Sequence, residues 1–172
     1  MRHIWMDRLT RRFYKNIMPS LLILLVSLSS HAAELNFRHI LQQERSWDGL
    51  SSKKLKVNEI EWCYSEGGDP TKLTLLLLHG LSGTRDNWNR VARYLAAYYH
   101  VIIPDLPAHG ETLVPGDFDL SIPNLAEKLR RFIDAAQPNP NLHIAGHSMG
   151  GAIALLYSAQ YHSGSEIFAI GG

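Results

Sequence analysis

Only one cysteine, Cys63, occurs in the 172 residues, so no intrachain disulfide can form. It sits in an alternating run with no motif around it, which makes it a buried small hydrophobe rather than a nucleophile. Internal repeats and low-complexity tracts are absent, which excludes solenoid and linker-like architectures. An excess of either charge is also missing, the net charge being +1. What charge there is lies unevenly. Residues 1–32 hold Arg2, Arg8, Arg11, Arg12 and Lys15 against Asp7 alone, a net of +4. The remainder holds twelve basic and fifteen acidic residues, a net of −3. That body has no basic field for a nucleic acid partner. No residue pattern calls for a metal or a cofactor.

A long apolar run is lacking too. The strictly apolar core "LLILLVSL", Leu21 to Leu28, is too short to span a membrane comfortably. Preceded by the basic start and followed by small residues Ser30 and Ala32, it reads as a secretory signal over 1–32. Cleavage is expected after Ala32 or Ala33. The alternative is an uncleaved anchor stretching from Ile17 to Ala33. Either way the body lies outside the cytoplasm, periplasmic or secreted. The length suits one domain of ordinary size.

After a mixed, polar lead-in over 33–55, "KVNEIEWCYSEGG" alternates Val57, Trp62 and Tyr64, with Ile60 one step out of phase. It reads as one strand with a bulge, ending in a Gly-Gly-Asp-Pro turn. "KLTLLLLHG" is a short unbroken apolar run, as in a parallel strand covered on both faces. "NWNRVARYLAAYYH" places Trp88, Val91, Ala92, Leu95 and Tyr99 at helical spacing. "VIIPD" is another short strand. Ser121 can cap a helix with Pro123 in its first turn, where the missing N–H costs nothing. "NLHIAG", "GGAIALLYSAQY" and "EIFAIGG" then read as strand, helix and strand. Such alternation implies right-handed crossovers and a doubly wound, mostly parallel α/β sheet. Chemistry in these sheets gathers at the carboxyl ends of the strands.

Two loops at such ends carry candidate chemistry. Gly146-His147-Ser148-Met149-Gly150 is G-x-S-x-G, a pattern that arises by chance in about one chain in twenty of this length. Its context makes it specific, because a strand ends and a helix begins within these five residues. Gly146 and Gly150 are needed where Ser148 sits on a sharp strand-to-helix turn and neighbouring β-carbons would clash. The bland alternative is a tight turn with a capping serine. The helix start behind Ser148 supplies partial positive charge where an oxyanion would form. The second loop is His79-Gly80-Leu81. A tetrahedral intermediate needs two N–H donors, and the backbone of Met149 and of Leu81 is placed to give them. The His79 side chain is read as structural.

"LLLLHGLSGTRDNW", "VIIPDLPAHGET", "SIPNLAEKLRRFI" and "LHIAGHSMGGAIAL" together resemble the α/β-hydrolase fold. They are most similar to secreted bacterial lipases and esterases of the Moraxella-lipase kind, over roughly Ile60 to Gly172. Ala108 departs from the family's usual glycine in D-L-P-G-H-G. The resemblance implies that 56–172 form the N-terminal part of an α/β-hydrolase domain. It also implies Ser148 as nucleophile, Leu81 and Met149 as oxyanion donors, and an ester or lipid substrate, with transient contact to a lipid surface. It disfavours dehalogenase and epoxide hydrolase chemistry, which places an aspartate where Ser148 stands.

In this fold the carboxylate and then the histidine follow the serine. Only His162 and Glu166 do so here, in the wrong order, with His162 about 20 Å away along the helix. Asp105 and His109 lie on the loop after the second apolar strand, on the wrong side of the family's topology. His147 is expected to point away from Ser148, and His39, His100 and His143 have no motif context. The base and its carboxylate are therefore expected outside this chain, the sheet continuing beyond "EIFAIGG". Two rivals remain: a Ser-dependent C–C hydrolase or perhydrolase on the same fold, and a non-catalytic truncated remnant. Oligomeric state is not legible.

Overall fold

In the computed structural model, residues 18–136, 138, 142–161 and 167–170 are described. Their elements run α1 (Met18–Trp47), β1 (Leu50–Val57), β2 (Ile60–Gly67), β3 (Thr74–Leu78), a 3-10 turn (Arg85–Trp88), α2 (Asn89–Leu95), β4 (His100–Pro104), α3 (Ile122–Ala136), β5 (Leu142–His147), α4 (Met149–Tyr161) and β6 (Ile167–Ile170). The chain divides into two compact units, 1–41 and 42–172. Within the first, the described residues 18–41 are helical and carry exposed Leu24, Val26, Leu28, Leu35, Phe37 and Ile40. Among the described residues no helix is long and apolar enough to cross a membrane.

The second unit holds a six-stranded sheet in the order β1-β2-β4-β3-β5-β6. β3 pairs in parallel with β4 and β5, and β5 in parallel with β6. β1 and β2 are antiparallel, and β2 meets β4 antiparallel. The expected parallel sheet is thus present with an antiparallel hairpin at one edge. That hairpin corrects the single bulged strand read from 57–64. Asn58, at φ 52°, turns the chain between two strands, and Val57 lies opposite Ile60. Ile60 is out of phase with Val57 because the two belong to different strands.

The leucine run is explained by period-2 burial on both faces. Leu76 and Leu78 join Trp62, Ile102, Ile144 and the inward stripes of α3 and α4. Leu75 and Leu77 point the other way, to Val101, Ile103 and Ala92 of α2. Helices therefore cover both faces, as a doubly wound sheet requires. Phe132 fastens α3 to the sheet, its ring 4.7 Å from that of Trp62 and 5.4 Å from that of Tyr64. Cys63 is buried and free, its thiol pushed up by desolvation and donating to the Glu111 carbonyl at 3.3 Å.

Candidate active site

Because β3, β4 and β5 are parallel, their carboxyl ends share one end of the sheet. Each is followed by a residue forced into the left-handed region: Ser82 (φ 60°), Ala108 (φ 63°) and Ser148 (φ 51°). A non-glycine residue held there costs on the order of 1–3 kcal/mol, and such strain gathers at functional sites. Among the described residues the one other non-glycine case is Asn58, in the hairpin, a residue type that tolerates it. Ala108 thus occupies a conformation in which glycine would be unstrained.

Ser148 lies between the last residue of β5 and the first of α4, and is exposed. The turn is so tight that a β-carbon on Gly146 would lie 2.3 Å from the Gly150 carbonyl oxygen. One on Gly150 would lie 2.5 Å from the Leu78 carbonyl oxygen, so α4 starts directly against β3. The Ser148 carbonyl accepts the Ala152 N–H at 3.1 Å, which begins the helix. The first N–H groups of a helix have no intrahelical partner, so Met149 presents a free amide beside the hydroxyl.

The loop after β3 packs against this turn. A β-carbon on Gly80 would stand 3.3 Å from Cβ of Ser148 and 2.9 Å from Nδ1 of His147. The Gly83 N–H donates to the Gly80 carbonyl at 3.0 Å, closing a turn with Leu81 and the left-handed Ser82 at its corners. The Leu81 amide takes no part in that bond. His79 holds the loop from below. It is buried, its Nδ1 lies 2.8 Å from the Gly80 carbonyl, and its Nε2 accepts the Leu106 N–H at 2.9 Å. An accepting Nε2 fixes the neutral tautomer with Nδ1–H donating to Gly80. Burial lowers the His79 pKa further below its ordinary 6.5, although the Gly80 carbonyl and Asp105 oppose the shift.

The nearby carboxylates are committed elsewhere. Asp105, fully buried, accepts the Arg85 N–H at 2.7 Å, Arg85 Nη1 at 2.8 Å and the Glu111 N–H at 3.0 Å. Glu111 in turn bonds Arg85 Nη2. His100 lies between Glu66, 2.7 Å from Nε2, and Thr74, 3.2 Å from Nδ1. His109 sits with its ring 5.2 Å from that of His79 and its Nδ1 3.0 Å from the Pro107 carbonyl. His162 and Glu166 lie outside the described residues. No group of three or more His, Cys, Asp or Glu among the described residues is placed to hold a metal.

A cavity of about 420 Å³ opens beside the loop, lined by Gly80, Leu81, Asn87, Trp88, Val91 and His147 among others. His147 lines this cavity. One sequence expectation changes here. Val91 is 47% exposed rather than core-facing, because the helix is only Asn89–Leu95 and follows a 3-10 turn. The capping box at Thr84 and Asn87 sets that turn, with the Thr84 N–H donating to Asn87 Oδ1 at 2.7 Å. The T-x-x-N spacing in the sequence carried this signal.

Residues 74–168 match the sequence model of the alpha/beta hydrolase fold. The chain belongs to the α/β-hydrolase family. It is 38% identical over 123 residues to Lipase 1 of Psychrobacter immobilis, which covers 71% of this chain and 38% of that protein. Lipase 3 of a Moraxella species is also 38% identical over 123 residues, covering 71% of this chain and 39% of the relative. A candidate lipase of Acinetobacter baumannii, solved by crystallography, superposes with a TM-score of 0.75 at 64% identity, covering 79% of this chain and 46% of that one. A bacterial membrane phospholipase A superposes at 0.69 with 38% identity, covering 84% and 48%. The chain spans less than half the length of each of these relatives.

Proposed function

We propose that this chain carries the nucleophile and the oxyanion hole of an exported serine ester hydrolase, a lipase or carboxylesterase working by acyl transfer. The observation that carries the reading is Ser148 itself, strained at φ 51° on a strand-to-helix turn against Gly80 of the β3 loop. In the reaction Ser148 Oγ attacks the ester carbonyl carbon and its proton passes to a base. The carbonyl oxygen becomes an oxyanion between the Leu81 and Met149 amides. Collapse expels the alcohol, which takes the proton back, and water then hydrolyses the acyl-enzyme. Strain in the turn serves this purpose by holding the hydroxyl clear of the helix that follows it.

The base and its carboxylate are assigned outside the described residues. Supporting this, His79 and His100 have both ring nitrogens engaged, and Asp105 is saturated by Arg85 and the Glu111 amide. The ester or lipid substrate class is supported by the relatives, which include monoacylglycerol lipases of Bos taurus and Homo sapiens at 32% identity. A fluorophosphonate probe applied to the complete gene product tests the nucleophile. Labelling is expected to map to Ser148 and to vanish in Ser148→Ala. Labelling that survives the substitution would place the nucleophile elsewhere.

A further inference from the structure

The β3 loop, residues 80–84, is held from below by His79, but its far end runs into the 3-10 turn at Arg85. Two consecutive residues there are gripped from opposite partners. Arg85 is taken by Asp105 and Glu111. Asp86 is taken by Arg45, which reaches it from the last turn of α1. Arg45 Nε lies 2.6 Å from Asp86 Oδ1 and Nη2 lies 2.8 Å from Oδ2, the two-pronged geometry that fixes orientation as well as distance. The remaining prong, Nη1, donates to Ser52 Oγ of β1 at 3.2 Å and lies 3.8 Å from Glu111. Arg45 is 5% exposed, so solvent screens this pair little. Asn89 Nδ2 also donates to Asp86 at 3.1 Å.

We infer that Arg45 is a positioning residue for the oxyanion loop. It acts through Asp86, although it lies upstream of residues 74–168, which match the family's sequence model. The inference rests on the assignment of the Leu81 amide as an oxyanion donor. Leu81 and Thr84 hang between His79 at one end and the Arg85-Asp86 pair at the other. With Arg45 removed, a mostly buried carboxylate loses its two-pronged partner. The pull that holds the turn toward β1 goes with it, and the free amide of Leu81 drifts from the place where charge develops. Loss of a whole oxyanion donor costs about 10²–10³ in kcat, so a misplaced one should cost about 10- to 100-fold. Substrate binding, which uses the ground-state carbonyl, is affected far less.

The test uses the complete gene product and two readouts. Amide hydrogen exchange over 80–88 reads the loop and needs no turnover; Arg45→Gln is expected to speed it about tenfold, with the β3 and β5 amides unchanged. Hydrolysis of p-nitrophenyl butyrate reads the consequence: kcat falls about 10- to 100-fold with KM within about twofold. Arg45→Lys, which keeps charge but not the fork, recovers part of the loss. Asp86→Asn, a milder change, gives the same split should Arg45→Gln not fold. Lys54→Gln, which breaks an exposed pair with Glu61, leaves both readouts as they are. Unchanged exchange in the Arg45 and Asp86 variants overturns the inference, as does faster exchange with kcat intact. Absence of Ser148 labelling in the unsubstituted protein sinks the proposed function instead, and exchange alone then decides the clamp.

Discussion

Ser148 holds its hydroxyl in place at a conformational cost, and that cost is measurable. At an ordinary exposed site alanine is the more stabilising replacement, because glycine gives the unfolded chain more freedom to lose. At φ 51° the order inverts, since alanine keeps the β-carbon clash and glycine removes it. Ser148→Gly is therefore expected to unfold at a higher denaturant midpoint than Ser148→Ala, by about 1 kcal/mol. Both should lose fluorophosphonate labelling. A Gly variant less stable than the Ala variant would mean that the turn is relaxed in solution. The motif spacing pointed to the residue and to a sharp, strained turn, and the backbone bears this out at φ 51°.

Among the elements, β1 and the 3-10 turn owe their positions to charges as much as to burial. Burial by itself would raise the Asp86 carboxyl, yet hydrogen bonding and charge from Arg45 outweigh it and hold the group below its ordinary 3.8. Glu66 of β2 behaves likewise. Desolvation raises it, bonds from Lys53 of β1 and His100 of β4 lower it more, and the net falls below 4.5. A carboxyl depressed in the folded state contributes stability above its unfolded pKa and loses it as pH falls through the folded value. The Asp86 and Glu66 contributions are thus expected to be level near pH 5–6 and to be lost as pH falls from about 4.5 downward, on top of the shallower decline that buried, neutral His79 imposes below its ordinary 6.5. Melting temperature measured from pH 6 to pH 2 checks this, and Asp86→Asn with Glu66→Gln should flatten the decline. A decline of the same steepness in the double variant would assign it to other carboxyls. β1 itself was not legible: "SSKKLKV" has little apolar pattern, and its burial alternates only weakly. Its register comes from pairing with β2, an interaction between segments that no window of sequence contains.

At the scale of the whole molecule, the N-terminal residues carry a prediction about export. The basic start, the leucine core and Ser30-x-Ala32 predict that the exported form begins at Ala33 or Glu34. Helix α1 runs through these residues to Trp47, and its last turn supplies Arg45 to the sheet unit. Cleavage at either position leaves Arg45 in the exported form. Intact-mass and N-terminal sequencing of the periplasmic or medium fraction check the prediction. Recovery of Met1 on a membrane-bound product would favour the anchor instead.

By itself the sequence determined the parallel strands, the helices on both faces and the place of Ser148. These rest on local signals: the leucine run of β3, the apolar stripe of α3, and two glycines flanking a serine at a strand's end. Tertiary structure decided what local signals cannot hold. It split 50–67 into a hairpin, because strand pairing rather than pattern sets β1. It brought Val91 to the cavity that His147 also lines, because a 3-10 turn precedes a short α2 and re-aims its faces. It took Asp105 out of contention as an acid, because Arg85, twenty residues upstream, saturates it. Each of these is a contact across sequence distance, and its energy depends on geometry that only the folded chain supplies.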